Sequence, residues 1–214
     1  MIFDGVRAAY DAWAPAYDTS EPRLLRDLAA AVVRRQAPDL SGTSIFELGC
    51  GTGTNTIWFA EFGDRVIALD FSERMLDRAR CRVTSDRVRF VSHHIRTRWP
   101  IPDDSTDLVV ASLVLEHVDD LGPVFKEARR VLHSAGALFV CEFHPFQQLA
   151  GWKAQYVDPA THAIAQVPAF CHDVSDFVNA GLGASLRLEA MNEWRYLEET
   201  VGARPKLLSL MFAK

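Results

Sequence analysis

At 214 residues, 49% apolar and 24% charged, the chain has the composition of a single soluble domain, and its formal net charge of −5 leaves no basic footprint for nucleic acid. No apolar run reaches the ~20 residues that cross a bilayer, and the N-terminus has no signal-peptide core, so membrane insertion is not expected. The four cysteines (Cys50, Cys81, Cys141, Cys171) are scattered without a C-x-x-C pair, which predicts reduced thiols, a cytoplasmic location and no zinc site.

The segment Tyr10 to Asp18 is dense in aromatics and reads as part of an amphipathic N-terminal helix. Pro22 suits the first turn of a second helix, in which Leu24, Leu25, Leu28, Ala31 and Val32 recur at helical spacing until Arg34, Arg35 and Pro38 end it. Ser44 to Leu48 is short, apolar and partly β-branched, the pattern of a buried parallel strand. Gly49, Gly51 and Gly53 follow at once, then a helical run from Thr56 to Phe62 that Gly63 can end. Strand, glycine turn and helix open a nucleotide-binding βαβ unit: glycines let backbone approach a ligand, and a helix start offers unpaired N–H groups.

A second strand, Val66 to Leu69, leads to Asp70, an acid placed to accept hydrogen bonds from both hydroxyls of a ribose. A dinucleotide fingerprint would need glycine at position 54, which is Thr54. Glu47, two residues before the first glycine, would repel a pyrophosphate and attract a cationic group. A ligand with a ribose, a cationic end and no pyrophosphate fits S-adenosylmethionine better than NAD.

Ser72 can cap the next helix with Glu73 in its first turn, and Met75 falls on its core face. Val88 to Val91 reads as strand three, and the turn Pro102 to Thr106 leads into strand four. Asp103 and Asp104 suggest a divalent metal, but they stand at the wrong end of a sheet whose ligands bind at the carboxyl ends of strands, so no metal is expected. The same rule selects Ser112, Leu113, Glu116 and His117 after strand four, and Glu142, Phe143, His144 and Pro145 after strand five. Between them lie an amphipathic helix, Leu121 to Leu132, and strand five, Ala137 to Cys141. Residues 147–172 lack periodicity, and Trp152, Tyr156, Pro159, Pro168 and Phe170 predict an ordered lid over an apolar acceptor. A helix from Asp173 to Leu182, a strand from Ser185 to Met191, a polar–aromatic border of the acceptor pocket from Glu193 to Glu199 and a closing strand from Leu207 to Phe212 complete the chain.

Four of these stretches carry a family resemblance. Glu47-Leu48-Gly49-Cys50-Gly51-Thr52-Gly53 resembles the first motif of class I S-adenosylmethionine-dependent methyltransferases, and Asp70 to Leu76 resembles their second-strand motif. Asp107 to Val118 resembles the fourth-strand motif of the small-molecule branch that includes ubiquinone and menaquinone biosynthesis methyltransferases. Arg130 to Leu138 is similar to that family's turn into strand five. The resemblance implies an α/β fold: a Rossmann-like, doubly wound, mostly parallel seven-stranded sheet with helices on both faces. It implies a single methyltransferase domain over 1–214, divided into a helical cover (1–43), a cofactor-binding core (44–144), an acceptor lid (145–172) and a C-terminal helix and strands (173–214).

The residues that the resemblance assigns to the cofactor are Tyr17, Glu47, Gly49, Cys50, Gly51, Gly53, Asn55, Asp70, Phe71, Ser72, Met75, His94, Ile95, Ser112, Leu113 and His117. Cys50 also reads as a small space-filler in the glycine loop. His94 stands where relatives carry an aspartate for the adenine amino group; a neutral imidazole with an acceptor nitrogen takes the same bond, and Ile95 flanks the ring. Three histidines are candidate general bases: His144 foremost, in an H-P-F segment similar to that of some relatives, then His117 and His94. For each, a packing or positioning role is the alternative.

The implied chemistry is an SN2 methyl transfer to a small, apolar or aromatic metabolite, aligned by the protein and assisted by a base where a hydroxyl or acidic carbon must lose its proton. Two other classes remain open: an NAD-dependent oxidoreductase, which finds no use for Glu47, and a catalytically silent cofactor-binding subunit of the same fold. The oligomeric state is not legible in the sequence.

Overall fold

The computed structural model describes residues 2–20, 23–158, 161–196 and 203–214. Pro22, Pro159 and the stretch from Leu197 to Glu199 lie outside the described residues. Helices α1 (Ile2–Trp13) and α2 (Arg23–Gln36) precede β1 (Ser44–Leu48), α3 (Thr56–Phe62), β2 (Arg65–Asp70), α4 (Glu73–Arg82), β3 (Val88–Ser92) and β4 (Thr106–Ser112). A single 3-10 turn, Leu115–His117, leads to α5 (Leu121–Val131) and β5 (Leu132–Phe143). The chain closes with α6 (Pro145–Leu149), β6 (Gln155–Val157), β7 (Ile164–Gln166), α7 (Val174–Gly183), β8 (Arg187–Trp194) and β9 (Leu207–Ala213).

The main sheet has seven strands in the order β3-β2-β1-β4-β5-β9-β8. The first five are parallel, and β9 runs antiparallel between β5 and β8. Side-chain alternation sorts β1 between two layers: Ile45 packs with Leu25, Val32 and Phe59 under α2 and α3, whereas Phe46 and Leu48 pack with Phe125, Val131 and Phe177 under α5 and α7. Such double burial requires the continuous apolar strands seen in β4, where Leu108 to Ala111 are all buried. The α5 stripe Leu121, Val124, Phe125, Ala128 and Val131 is wholly buried, as its spacing predicts. Ser72 caps α4 by accepting from the Met75 N–H at 3.1 Å, and Asp173 and Asp176 form a capping box at the start of α7.

Asp103 pairs with Arg130 and Arg98, and Arg130 also holds Glu127 and the carbonyls of Trp99 and Ile101. This fixes the turn before β4 over the buried Trp99, whose ring lies 5.2 Å from Phe46.

Two segments differ from expectation. Strand β8 continues to Trp194, whose indole N–H donates to the Ser209 hydroxyl at 2.8 Å across to β9, so Glu193 and Trp194 belong to the sheet edge and not to an acceptor pocket. The expected lid turns its aromatics elsewhere. Strands β6 and β7 pair as a small antiparallel ribbon, and Ala154, Tyr156 and Val167 bury against Val6, Ala9 and Trp13 of α1, with Trp13 stacked on Tyr156 at 5.4 Å. An apolar surface on α1 was as available to these side chains as a substrate. Among the described residues no helix is long and apolar enough to cross a membrane.

Candidate active site

Sheet order reverses between β1 and β4, and a doubly wound sheet opens a crevice at the carboxyl ends of the strands there. The crevice is a cavity of about 560 Å³, roofed by α1 and the turns that follow it.

One wall is the loop after β1. Gly49, Gly51 and Gly53 take φ values of 65°, 54° and 83°. The Gly51 N–H donates to Asp70 Oδ2 and the Ser72 N–H to Asp70 Oδ1, both at 2.9 Å, so the carboxylate at the end of β2 is locked by two backbone donors. Burial pushes its carboxyl up to about 6, against the pull of those hydrogen bonds, and it is ionised at neutral pH. Phe71, Met75, His94 and Ile95 line the cavity beside it. Cys50 lines it too, as a buried thiol that burial keeps protonated. Asn55, at the start of α3, lines the cavity and makes no capping bond, while its Oδ1 is buried away from solvent without a partner among the described residues. The opposite wall is the loop after β4, with Ser112, Leu113 and Val114. Leu113 takes a left-handed φ of 53°, and the buried Glu142 holds the loop by accepting from the Val114 and Leu115 N–H groups at 2.9 Å.

The roof contributes Tyr10 and Tyr17. Tyr10 meets His117 Nε2 at 2.7 Å, and His117 Nδ1 lies 2.8 Å from the Pro168 carbonyl oxygen. A carbonyl only accepts, so Nδ1 carries the proton and Nε2 accepts from the Tyr10 hydroxyl. Burial lowers His117 to about 4, leaving it neutral. Asp18 clasps the roof to the floor, accepting from Thr52 Oγ1 at 2.6 Å, Arg82 Nη2 at 2.7 Å and Arg78 Nη2 at 3.1 Å.

Thirteen expected residues (Tyr17, Gly49, Cys50, Gly51, Asn55, Asp70, Phe71, Met75, His94, Ile95, Ser112, Leu113 and His117) share this cavity, and four others lie outside its wall. Glu47 alternates to the face beneath α3, where its buried carboxyl accepts from Thr56 Oγ1 at 2.5 Å and burial lifts it to about 7; it braces the helix and is not in the cavity wall. Gly53 packs against Ala79 of α4. The Ser72 hydroxyl is spent on its cap and on Asp11 of α1. His144 does stand at the carboxyl end of β5, but its Nδ1 accepts from the Phe146 N–H and its Nε2 meets Glu193 Oε1, each at 3.2 Å. Pro145 begins α6 directly after it, which turns the ring into a helix cap away from the cavity. His94 reverses its expected polarity: Nδ1 accepts from the Arg96 N–H at 3.2 Å, so the neutral ring presents Nε2 as a donor rather than an acceptor. No described residue of 145–172 is in the cavity wall; that segment supports the roof from behind through Pro168 and Tyr156. Sequence reading missed Tyr10, Asp18 and the α2 residues Arg23, Arg26, Ala30 and Arg34, which also line the cavity.

The buried neutral His117 carries a stability consequence. Unfolded histidine protonates near pH ~6.5, whereas the folded ring resists protonation until about 4, so its contribution is present above the unfolded value and is lost as pH falls. Urea unfolding is expected to show wild type losing about 2 kcal/mol relative to His117→Gln between pH ~7 and pH ~5. Glu47 and Glu142, both raised to about 7 by burial, act in the opposite sense and cancel in that comparison. A pH-independent difference would place the proton elsewhere.

Comparison with known proteins agrees with this architecture. Residues 46–140 match a family described as a methyltransferase domain. The demethylmenaquinone methyltransferase of Clavibacter sepedonicus is 31% identical over 90% of this chain and 78% of its own. The magnesium-protoporphyrin O-methyltransferase of Rhodobacter capsulatus is 26% identical over 84% of this chain and 80% of its own. A solved complex of DhpI with SAM and HEP superposes with a TM-score of 0.75 at 20% identity, covering 100% of this chain and 97% of that one. The chain belongs to the class I S-adenosylmethionine-dependent methyltransferases.

Proposed function

We propose that the chain methylates a small metabolite with an aromatic or apolar body, held in the cavity beside S-adenosylmethionine, by in-line SN2 displacement. The observation that carries the reading is the locked Asp70 carboxylate beside a cavity also lined by Tyr10 and Tyr17 of the roof and by Leu113 and Val118. When bound, the cofactor supplies a sulfonium methyl that is already electrophilic.

The chain's own groups fit that cofactor. Asp70 would take the ribose hydroxyls, with Met75, Phe71 and Ile95 against the adenine and His94 Nε2 donating to a ring nitrogen. Ser112 and Leu113 would border the methionine end. None of the three candidate histidines offers a nitrogen acceptor to the cavity: His144 is outside it, His117 has both nitrogens engaged, and His94 presents a donor. Catalysis then rests on alignment and exclusion of water under the roof, terms that reach about 7–11 kcal/mol. The relatives named for demethylmenaquinone and magnesium-protoporphyrin support an acceptor with an aromatic body.

Calorimetric titration with S-adenosylmethionine and, in parallel, with NAD tests the reading, followed by transfer of labelled methyl to a panel of phenols and hydroquinones. Micromolar binding of S-adenosylmethionine alone, with label in the panel, is expected. Binding of NAD in its place, or of neither, overturns it.

A further inference from the structure

We propose that Glu116 and Glu142 act as one proton-sharing pair, and that the shared proton holds the loop after β4 against the cavity until rising pH removes it.

The pair stands behind the cavity, where that loop turns back onto β5. Glu142 of β5 is 1% exposed, and its Oε1 accepts from the Val114 and Leu115 N–H groups at 2.9 Å. Its Oε2 is buried with no hydrogen-bond partner among the described residues. Glu116, on the 3-10 turn of the same loop, is 4% exposed, and the Gln148 amide of α6 donates to its Oε2 at 3.4 Å. Both carboxyls line a void of about 10 Å³, closed by Phe143, Phe170, His172 and Phe177.

Among the described residues no cation faces the pair. His117 Nε2 lies 3.8 Å from Glu116 Oε1, but it accepts from Tyr10 and burial keeps the ring neutral. His172 directs its Nε2 proton to the Val118 carbonyl at 2.6 Å. Cys141 of β5 and Tyr10 and Tyr17 of the roof are held protonated, by burial first and by these acids next.

Two anions side by side in such a site repel each other strongly, so one proton stays and the pair titrates as a unit. The hydrogen bonds say which acid keeps it. Glu142 has two backbone donors for a negative charge, whereas Glu116 has one long amide contact. Burial lifts Glu142 to about 7, and burial together with the Glu142 charge lifts Glu116 well above the usual carboxylate range. Raised carboxyls favour the closed loop at low pH, and that contribution is lost as pH rises. Glu142 is fixed in the sheet between β4 and β9, so a second charge is relieved by moving the 3-10 turn. That turn carries His117 and follows Leu113, whose φ of 53° lies next to the Glu142 bonds. The cavity wall from Ser112 to Val114 therefore loosens with rising pH, the reverse of the dependence expected from Asp70.

The test is amide hydrogen exchange of residues 112–118 in the full chain without ligand, corrected for chemical exchange and compared with α5, at pH ~6.5 and pH ~9. Wild type is expected to lose about tenfold protection in this segment and little in α5. Glu116→Gln and Glu142→Gln should keep it, since an amide oxygen still accepts from the loop and no second charge forms. Glu142→Ala should be unprotected at both pH values. Affinity for S-adenosylhomocysteine should fall further in wild type than in Glu116→Gln over the same range, because the ligand's own amino group titrates alike in both. No binding to wild type at either pH would mark a failure of the cofactor reading, and the exchange result then decides the pair. Should Glu142→Ala not fold, the two amide variants decide. Wild-type protection that does not change with pH, an equal loss in either amide variant, or affinities that fall alike overturns the proposal.

Discussion

Asp70→Asn is expected to weaken S-adenosylmethionine binding by roughly 100-fold while leaving the melting temperature unchanged or raised. Two charge-assisted bonds from a carboxylate to ribose hydroxyls contribute about 1.5–3 kcal/mol each, so losing charge and one acceptor costs about 3 kcal/mol of binding. Stability does not follow, because burial already opposes the charge, lifting the carboxyl to about 6. The amide can still accept one of the bonds now made by the Gly51 and Ser72 N–H groups. The wild type should mimic the variant in acid: affinity is full while Asp70 is ionised and falls as pH drops through about 6. Calorimetry across that range beside a thermal melt checks both halves. Binding of the variant within threefold of wild type would remove Asp70 from the ribose.

Gly49→Ala is expected to damage both stability and cofactor binding. The residue sits at φ 65°, where an L side chain costs about 1–2 kcal/mol. A methyl there also meets the Val114 side chain across the cavity mouth, with Val114 Cβ at 2.8 Å. Overpacking of this kind adds about 1–3 kcal/mol, so the total is about 3 kcal/mol or more. Val114 is itself pinned through its N–H to Glu142, so the loop after β4 cannot retreat without breaking that bond. The double variant Gly49→Ala/Val114→Ala should recover the packing share and not the backbone share. Denaturant unfolding of the single and double variants reads the two terms apart, and full recovery would deny the conformational cost.

The parts of this site legible in the sequence are those written in consecutive residues. Strand β1, the glycine turn, α3 and Asp70 announce themselves because an apolar run, alternate glycines and a terminal acid each have a local cause. What the sequence hid depends on which way a side chain faces once packed. Glu47 is one residue from Leu48, and a pleat of period two sends it under α3 rather than toward a ligand. His144 occupies its expected position, but the helix that Pro145 starts captures its ring. The aromatics of 147–172 signal an apolar partner without saying which, and α1 offered one. Arg23, Arg26 and Arg34 were hidden because periodicity marks only the apolar face of a helix and is silent about its polar one.

The Asp18 clasp makes the hold of the cover on the cofactor loop sensitive to salt. One carboxylate joins the roof to Thr52 of the glycine loop and to Arg78 and Arg82 of α4, and its side chain keeps about a fifth of its surface in water (21%), where dissolved ions can compete for it. The ribbon β6–β7, stacked on Trp13, packs on the same cover. Raising ionic strength is therefore expected to loosen the attachment of the N-terminal cover to the glycine loop before it disturbs the apolar layers beneath.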